Sequence, residues 1–162
     1  MTAQGKNYKH TSSVIDERTL RVERVFAAPR DLVWRAFSEP ELVAQWWCRG
    51  NKVDVERFEF VKGGHWRLVE HWNGGSMGFE GRFREITPKT LISHTFEWDG
   101  LPGHPSIDTN ELFDENGGSA TRLVATSMFF TKEECDGMAA AGAESGMAQS
   151  YAALDALLER LV

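Results

Sequence analysis

With 162 residues, 41% of them apolar and 26% charged, the chain has the length and balance of one folded domain, not of two domains or a disordered segment. A formal net charge of −6 without a block of Lys or Arg argues against nucleic acid or a membrane surface as main partner, and no apolar run approaches the roughly 18 residues that span a bilayer. Cys48 and Cys135 stand far apart outside any motif, and Met1 to Ser13 lacks the apolar core of a signal peptide, so the expectation is a reduced, cytoplasmic protein.

Residues 1–18 read as a polar N-terminal tail and 19–162 as a single domain. Thr19 to Ala27 sets Leu20 and Val22 against Arg21 and Glu23, the alternation of a strand. Pro29 suits the first turn of a short helix whose stripe is Leu32, Val33, Ala36 and Phe37. Ser38 with Glu41 forms a capping box for a second short helix that runs to Trp46 and Trp47 and ends at Gly50.

Strands follow. Val53 to Phe60 changes phase near Glu56 and Arg57, which predicts a bulge. His65 to Trp72 places Trp66, Leu68, Glu70 and Trp72 on one face, and Asn73-Gly74-Gly75 turns the chain into a strand carrying Phe79, Gly81 and Phe83. Thr90 to Trp98 puts Ile92, His94, Phe96 and Trp98 on one side. Thr109 to Glu115 and Thr121 to Phe129 flank the tight turn Asn116-Gly117-Gly118. Thr131 and Glu134 form a second capping box, and Gly137 and Gly142 are candidate breaks before the last helix. In that helix Met147, Tyr151, Leu154, Leu158 and Leu161 recur at steps of four, three, four and three, a stripe that needs a surface to cover. The order predicts an α+β fold: a curved antiparallel sheet of about seven strands around a long C-terminal helix, with two short helices after the first strand.

These residues carry a resemblance. Arg24-Val25-Phe26-Ala27-Ala28-Pro29, Val33-Trp34-Arg35-Ala36-Phe37, Leu42 with Trp46-Trp47, Gly63-Gly64, Gly81 with Glu85-Ile86 and Pro88, and Thr121-Arg122-Leu123 occur in an order similar to that of the SRPBCC (START-like, helix-grip) superfamily. Within it the chain most resembles the family named for the heat-shock-protein ATPase activator homologue, over about Thr19 to Leu161. The resemblance implies a cavity between the long helix and the sheet, suited to apolar or amphipathic small molecules, with Trp46-Trp47 as a lid at one end. One departure stands out: where that family's last helix opens with Gly-Trp and has Leu four positions on, this chain has Gly146-Met147 and Tyr151. Pocket shape is therefore this chain's own, and Met147 and Tyr151 are expected ligand contacts.

Few residues offer chemistry. His94, on a face with Ile92, Phe96 and Trp98, is either a satisfied core histidine or an acid–base group. Glu70 among aromatics and Glu111, sharing a face with Thr109 and Phe113, are either functional carboxylates or edge residues near Arg67 or Arg122. His65, His71 and His94 lack the spacing of a zinc site, so neither metal nor cofactor is expected. The leading expectation is a binder of a hydrophobic small molecule, contacted by Trp46, Trp47, Trp66, Glu70, Phe79, His94, Trp98, Glu111, Met147 and Tyr151. The alternatives are a cyclase, hydratase or hydrolase using His94 with Glu70 or Glu111, and a chaperone-ATPase interaction module, weakened by the lack of a further N-terminal domain. A homodimer through strand edges or helix faces is compatible with the sequence.

Overall fold

A computed structural model describes residues 10–162. In chain order the elements are β1 (His10–Asp16), β2 (Thr19–Phe26), α1 (Arg30–Ser38), α2 (Pro40–Trp46), β3 (Lys52–Phe58), β4 (His65–Trp72), β5 (Gly75–Thr87), β6 (Leu91–Trp98), β7 (Ser106–Glu115), β8 (Ala120–Met128), α3 (Lys132–Ala140) and α4 (Ala143–Leu161). The strands make one sheet in the order β1-β2-β8-β7-β6-β5-β4-β3, and every adjacent pair is antiparallel. This is the α+β, helix-grip architecture expected, with eight strands instead of seven.

The additional strand is β1, which occupies part of the expected tail and pairs from His10 opposite Arg24 to Asp16 opposite Thr19. Its sequence is mostly polar because pairing at a sheet edge uses backbone groups and needs no apolar face. Residues 1–9 of the tail lie outside the described residues. Register shifts in β3 between Val55 and Arg57, and in β5 between Phe83 and Glu85, mark irregularities of the kind that bend a strand and curve a sheet. The first was legible in the sequence and the second was not.

Two caps differ from expectation. Ser38 does not cap α2; it lies in the last turn of α1, where its hydroxyl donates to the Trp34 carbonyl at 2.7 Å. Pro40 occupies the start of α2, which makes Glu39 the capping position. Pro29 likewise precedes α1 instead of entering it, and its carbonyl accepts from the Leu32 and Val33 amides. At α3 the Thr131 hydroxyl accepts from the Glu134 amide at 3.1 Å, as predicted, while the Glu134 carboxylate reaches the Phe130 amide. Gly142, with φ of 87°, separates α3 from α4 in a left-handed conformation open to glycine.

The apolar interior falls into two clusters. Leu154, Leu157 and Leu158 of α4 pack with Phe26 and Leu123 of β2 and β8 and with Val33 and Ala36 of α1. Trp66, Leu68, Phe83 and Ile92 form the second, beneath α2. Leu157, absent from the predicted stripe, is buried, whereas Leu161 is only half-buried.

Truncating Leu154, which is completely buried, should cost about 2–5 kcal/mol, the range for emptying a leucine site that cannot collapse. Gly146 sits inside α4 with nothing within 4 Å of an added Cβ, so Gly146→Ala should gain about 0.5–1 kcal/mol. Urea denaturation of the two variants checks both, and a neutral Leu154→Ala would mean that α4 is not held by this cluster.

Candidate functional site

Between the two clusters lies a cavity of about 590 Å³, bordered by residues of all four helices and of β2 to β8. Its origin is visible in α4. Ala143, Gly146, Met147, Ser150 and Tyr151 recur on the face toward the cavity, and the first two are too small to fill it. Five of the six tryptophans border the space; Trp34 does not, and packs edge-on against Phe60 at 5.8 Å.

Trp46 and Trp47 diverge. The Trp46 indole N–H donates to the Ala36 carbonyl at 2.9 Å and its ring stacks on Tyr151 at 6.2 Å, so it fixes α2 to α4. Trp47, just beyond α2, meets Trp66 and Phe79 edge-on at 5.6 and 5.8 Å. Phe96 and Phe79 continue this aromatic wall, with Trp98 also on the cavity. Trp66 lies across β5 at Gly81, where a Cβ would come within 2.8 Å of the indole nitrogen, so glycine there leaves room for the ring. Among the described residues the Trp66 indole N–H has no hydrogen-bond partner.

Polar groups enter this wall at two places. At the first, Glu70 is 2% exposed and accepts from Arg49 at 2.8 Å and Asn51 at 2.7 Å. Arg67, a neighbour considered from the sequence, instead pairs with Glu56, Glu80 and Asp99 on the other face of the sheet. Arg49 sits in a short 3₁₀ turn, Cys48–Gly50, whose three residues all have positive φ (55°, 62° and 77°). Two non-glycine residues in that region store roughly 1–2 kcal/mol each, and strain of this kind gathers at functional sites. The turn is tied to α4 by the Arg49 amide, which donates to the Ser150 hydroxyl at 2.9 Å. Burial, with the Glu70 charge behind it, pushes the Cys48 thiol up to about 12. Cys48 and Cys135 are both buried and free.

The second polar place is the facing pair His94 on β6 and Asp108 on β7. His94 Nδ1 is 2.9 Å from the Thr95 carbonyl, which can only accept, so this nitrogen carries the hydrogen. Asp108 Oδ1 accepts from the Ser106 hydroxyl at 3.0 Å, and Ser127 bonds the same carboxyl. Protein encloses Asp108, although the cavity leaves part of its surface within reach of water. Burial raises its pKa, against the opposing pull of His94 and the two serines. Tyr151 is also raised, first by burial and then by the Asp108 charge, which keeps its hydroxyl protonated.

All the expected contact residues border the cavity except Glu111. Phe113 is the reason for that error. Taken as an inward aromatic, it lies on the outer face with the Arg122 guanidinium 4.6 Å from its ring centre, and Glu111 shares that face. The inward residues of β7 are Ser106, Asp108 and Asn110, leading to buried Leu112; extending that alternation back past Thr109 would have found Asp108. Arg49 and Asn51 had no sequence signal. Among the described residues no three His, Cys, Asp or Glu side chains converge as metal ligands; His71 pairs with Asp54 and His65 contacts Arg57. Nor is any described helix long and apolar enough to cross a membrane.

Residues 27–159 match the sequence profile of the family described as Activator of Hsp90 ATPase homolog 1-like protein. Solved structures agree. A Rhodobacter sphaeroides protein is 28% identical with a TM-score of 0.84, covering 95% of this chain and 100% of its own. A Chromobacterium violaceum protein is 27% identical with a TM-score of 0.73 over 87% and 97% of the two chains. A protein of Arthrobacter aurescens, 20% identical with a TM-score of 0.84 over 93% and 91%, shares the fold. No curated protein matches the chain.

The raised Asp108 pKa has a sign that can be tested. The folded state holds this proton more tightly than the unfolded chain, so in the window above the ordinary 3.8 native stability falls as pH rises. Asp108→Asn removes that loss. Its melting temperature relative to the native chain should therefore climb between pH 3.5 (roughly at the ordinary aspartate value) and neutrality, and a flat difference would show that burial does not weigh on the carboxyl.

Proposed function

Since the chain belongs to the Activator of Hsp90 ATPase homolog 1-like family, we propose that it binds an apolar or amphipathic small molecule between α4 and the sheet. The observation that carries this reading is the 590 Å³ cavity itself, whose size lies in the roughly 300–1,000 Å³ range of small-molecule pockets. Its wall supports the same reading, because Trp47, Trp66, Phe79 and Phe96 give it large rigid apolar area while its polar groups are confined to two places. Small residues on α4 keep this space open where a helix of larger side chains would close it. The buried free cysteines suit a reducing compartment such as the cytoplasm.

The enzymatic alternative built on His94 with Glu70 or Glu111 has less support. Glu111 lies outside the cavity lining, and Glu70 is held in an ion pair by Arg49 while Asn51 donates to the same oxygen. A chaperone-ATPase module draws support from the family's description alone.

Thermal melting and tryptophan fluorescence against a library of lipids and aromatic compounds test the proposal. A true ligand at a hundred times its Kd should stabilise the fold by about 2.7 kcal/mol. Gly146→Trp, which fills the cavity from α4, should fold and lose that response. A library without a single stabilising member would overturn the reading.

A further inference from the structure

The charges bordering the cavity do not balance. Its lining holds two carboxylates, Glu70 and Asp108, and a single Lys or Arg side chain, Arg49. Arg49 is committed to Glu70 at 2.8 Å. Asp108 has only neutral hydroxyls as hydrogen-bond partners, those of Ser106 and Ser127, and among the described residues no ion pair joins it to a cation. His94, opposite it on β6, acts on its charge but spends Nδ1 on the Thr95 carbonyl and makes no ion pair with it. Two serine bonds leave about half of the roughly four acceptor positions of a carboxylate open. Asp108 is not sealed in: part of it stays accessible where it borders the cavity, so a ligand group has room to meet it.

We propose that Asp108 is the anchor for an ammonium group, and that the cavity's ligand is a cationic amine with an aromatic body. An ammonium supplies the positive charge missing beside Asp108, and its three N–H groups suit a carboxylate flanked by hydroxyl oxygens. A neutral hydroxyl would make a hydrogen bond without balancing the charge, and an anion would meet two carboxylates. The aromatic body follows from the register. Phe96, the next inward residue of β6 after His94, stands opposite Ser106, which puts it one diagonal step from Asp108, about 7–8 Å across the ladder. Trp47 and Phe79 continue from Phe96 with ring centres 6.0 and 5.5 Å away, so a ring one carbon from the nitrogen reaches the aromatic wall. The faces of those rings also attract positive charge. Burial raises the Asp108 pKa, a sign that the empty site supports its negative charge poorly, and a cation alongside offsets that penalty. This inference rests on the binding reading above and adds the sign of the ligand's charge.

Three probes of one shape isolate the charge: 2-naphthylmethylamine, a cation near neutral pH; 2-naphthylmethanol, its neutral counterpart; and 2-naphthoate, an anion. Titration of the whole chain by tryptophan quenching should place the amine about tenfold above the alcohol, the scale of one hydrogen bond to a charged group, with the naphthoate weakest. Asp108→Asn keeps the size of the side chain, removes its charge, and should bring the amine down to the alcohol's affinity. Asp108→Ser is the second variant if the first fails to fold. An amine that binds no better than the alcohol, or an advantage that survives loss of the Asp108 charge, overturns the anchor and leaves the apolar binding reading standing. Binding of other library members without any response to the amine also overturns it. If nothing binds, both readings fall together.

Discussion

The cavity depends on an imbalance within one helix. α4 presents large apolar side chains from Tyr151 onward, and Leu154, Leu157 and Leu158 bind it to β2, β8 and α1 in a dry cluster. In its first turns the same face carries Ala143 and Gly146. A helix is stiff, so a C-terminal half pinned by packing holds the N-terminal half at a fixed height over the sheet. Small side chains cannot bridge that gap, and the interior stays divided into two clusters with a space between them. Filling or keeping this space is decided by side-chain volume at a few positions of α4, not by the fold.

What surrounds the space is chosen for rigidity. Aromatic rings from the residue after α2 and from β4, β5 and β6 brace one another, edge-on around Trp47 and tilted between Phe79 and Phe96, so their positions are set without a ligand. The polar groups are similarly constrained. Glu70 is fixed by Arg49 and Asn51, and the strained turn that carries Arg49 is anchored to α4 through Ser150. His94 is oriented by a backbone carbonyl, and Asp108 by two serines. A wall whose members hold each other loses little entropy when it meets a ligand. Strain at Cys48 and Arg49 is the expense of placing one guanidinium over a buried carboxylate.

Much of this was legible in the sequence, for identifiable reasons. Period-two alternation in the sequence exposed β4, whose burial alternates, and β6, whose two faces are both at least half-buried, and with them Trp66, Glu70, His94 and Phe96. The four-three spacing exposed α4. The failures came where that logic had no signal. β1 lacks the apolar alternation because it adds to an edge through its backbone. On β7 the phase was set by Phe113, an aromatic side chain that is outside because Arg122 covers it, and the error exchanged Glu111 for Asp108. Arg49 reaches Glu70 through a left-handed turn of non-glycine residues, which no pattern announces. Ser38 looked like a cap because the spacing to Glu41 was right, but Pro40 fixes the helix start one residue later.

The most direct test of the central claim, that the gap under α4 is where a ligand sits, is an NMR spectrum of the six indole N–H groups during titration with the most stabilising member of the lipid and aromatic library. Trp47 and Trp66 border the cavity, while Trp34 is packed on Phe60 away from it and serves as an internal control. The expected result is that the Trp47 and Trp66 signals move in a saturable way while Trp34 stays still. Movement of Trp34 without Trp47 and Trp66, or no movement in any of them at saturating ligand, would contradict the account.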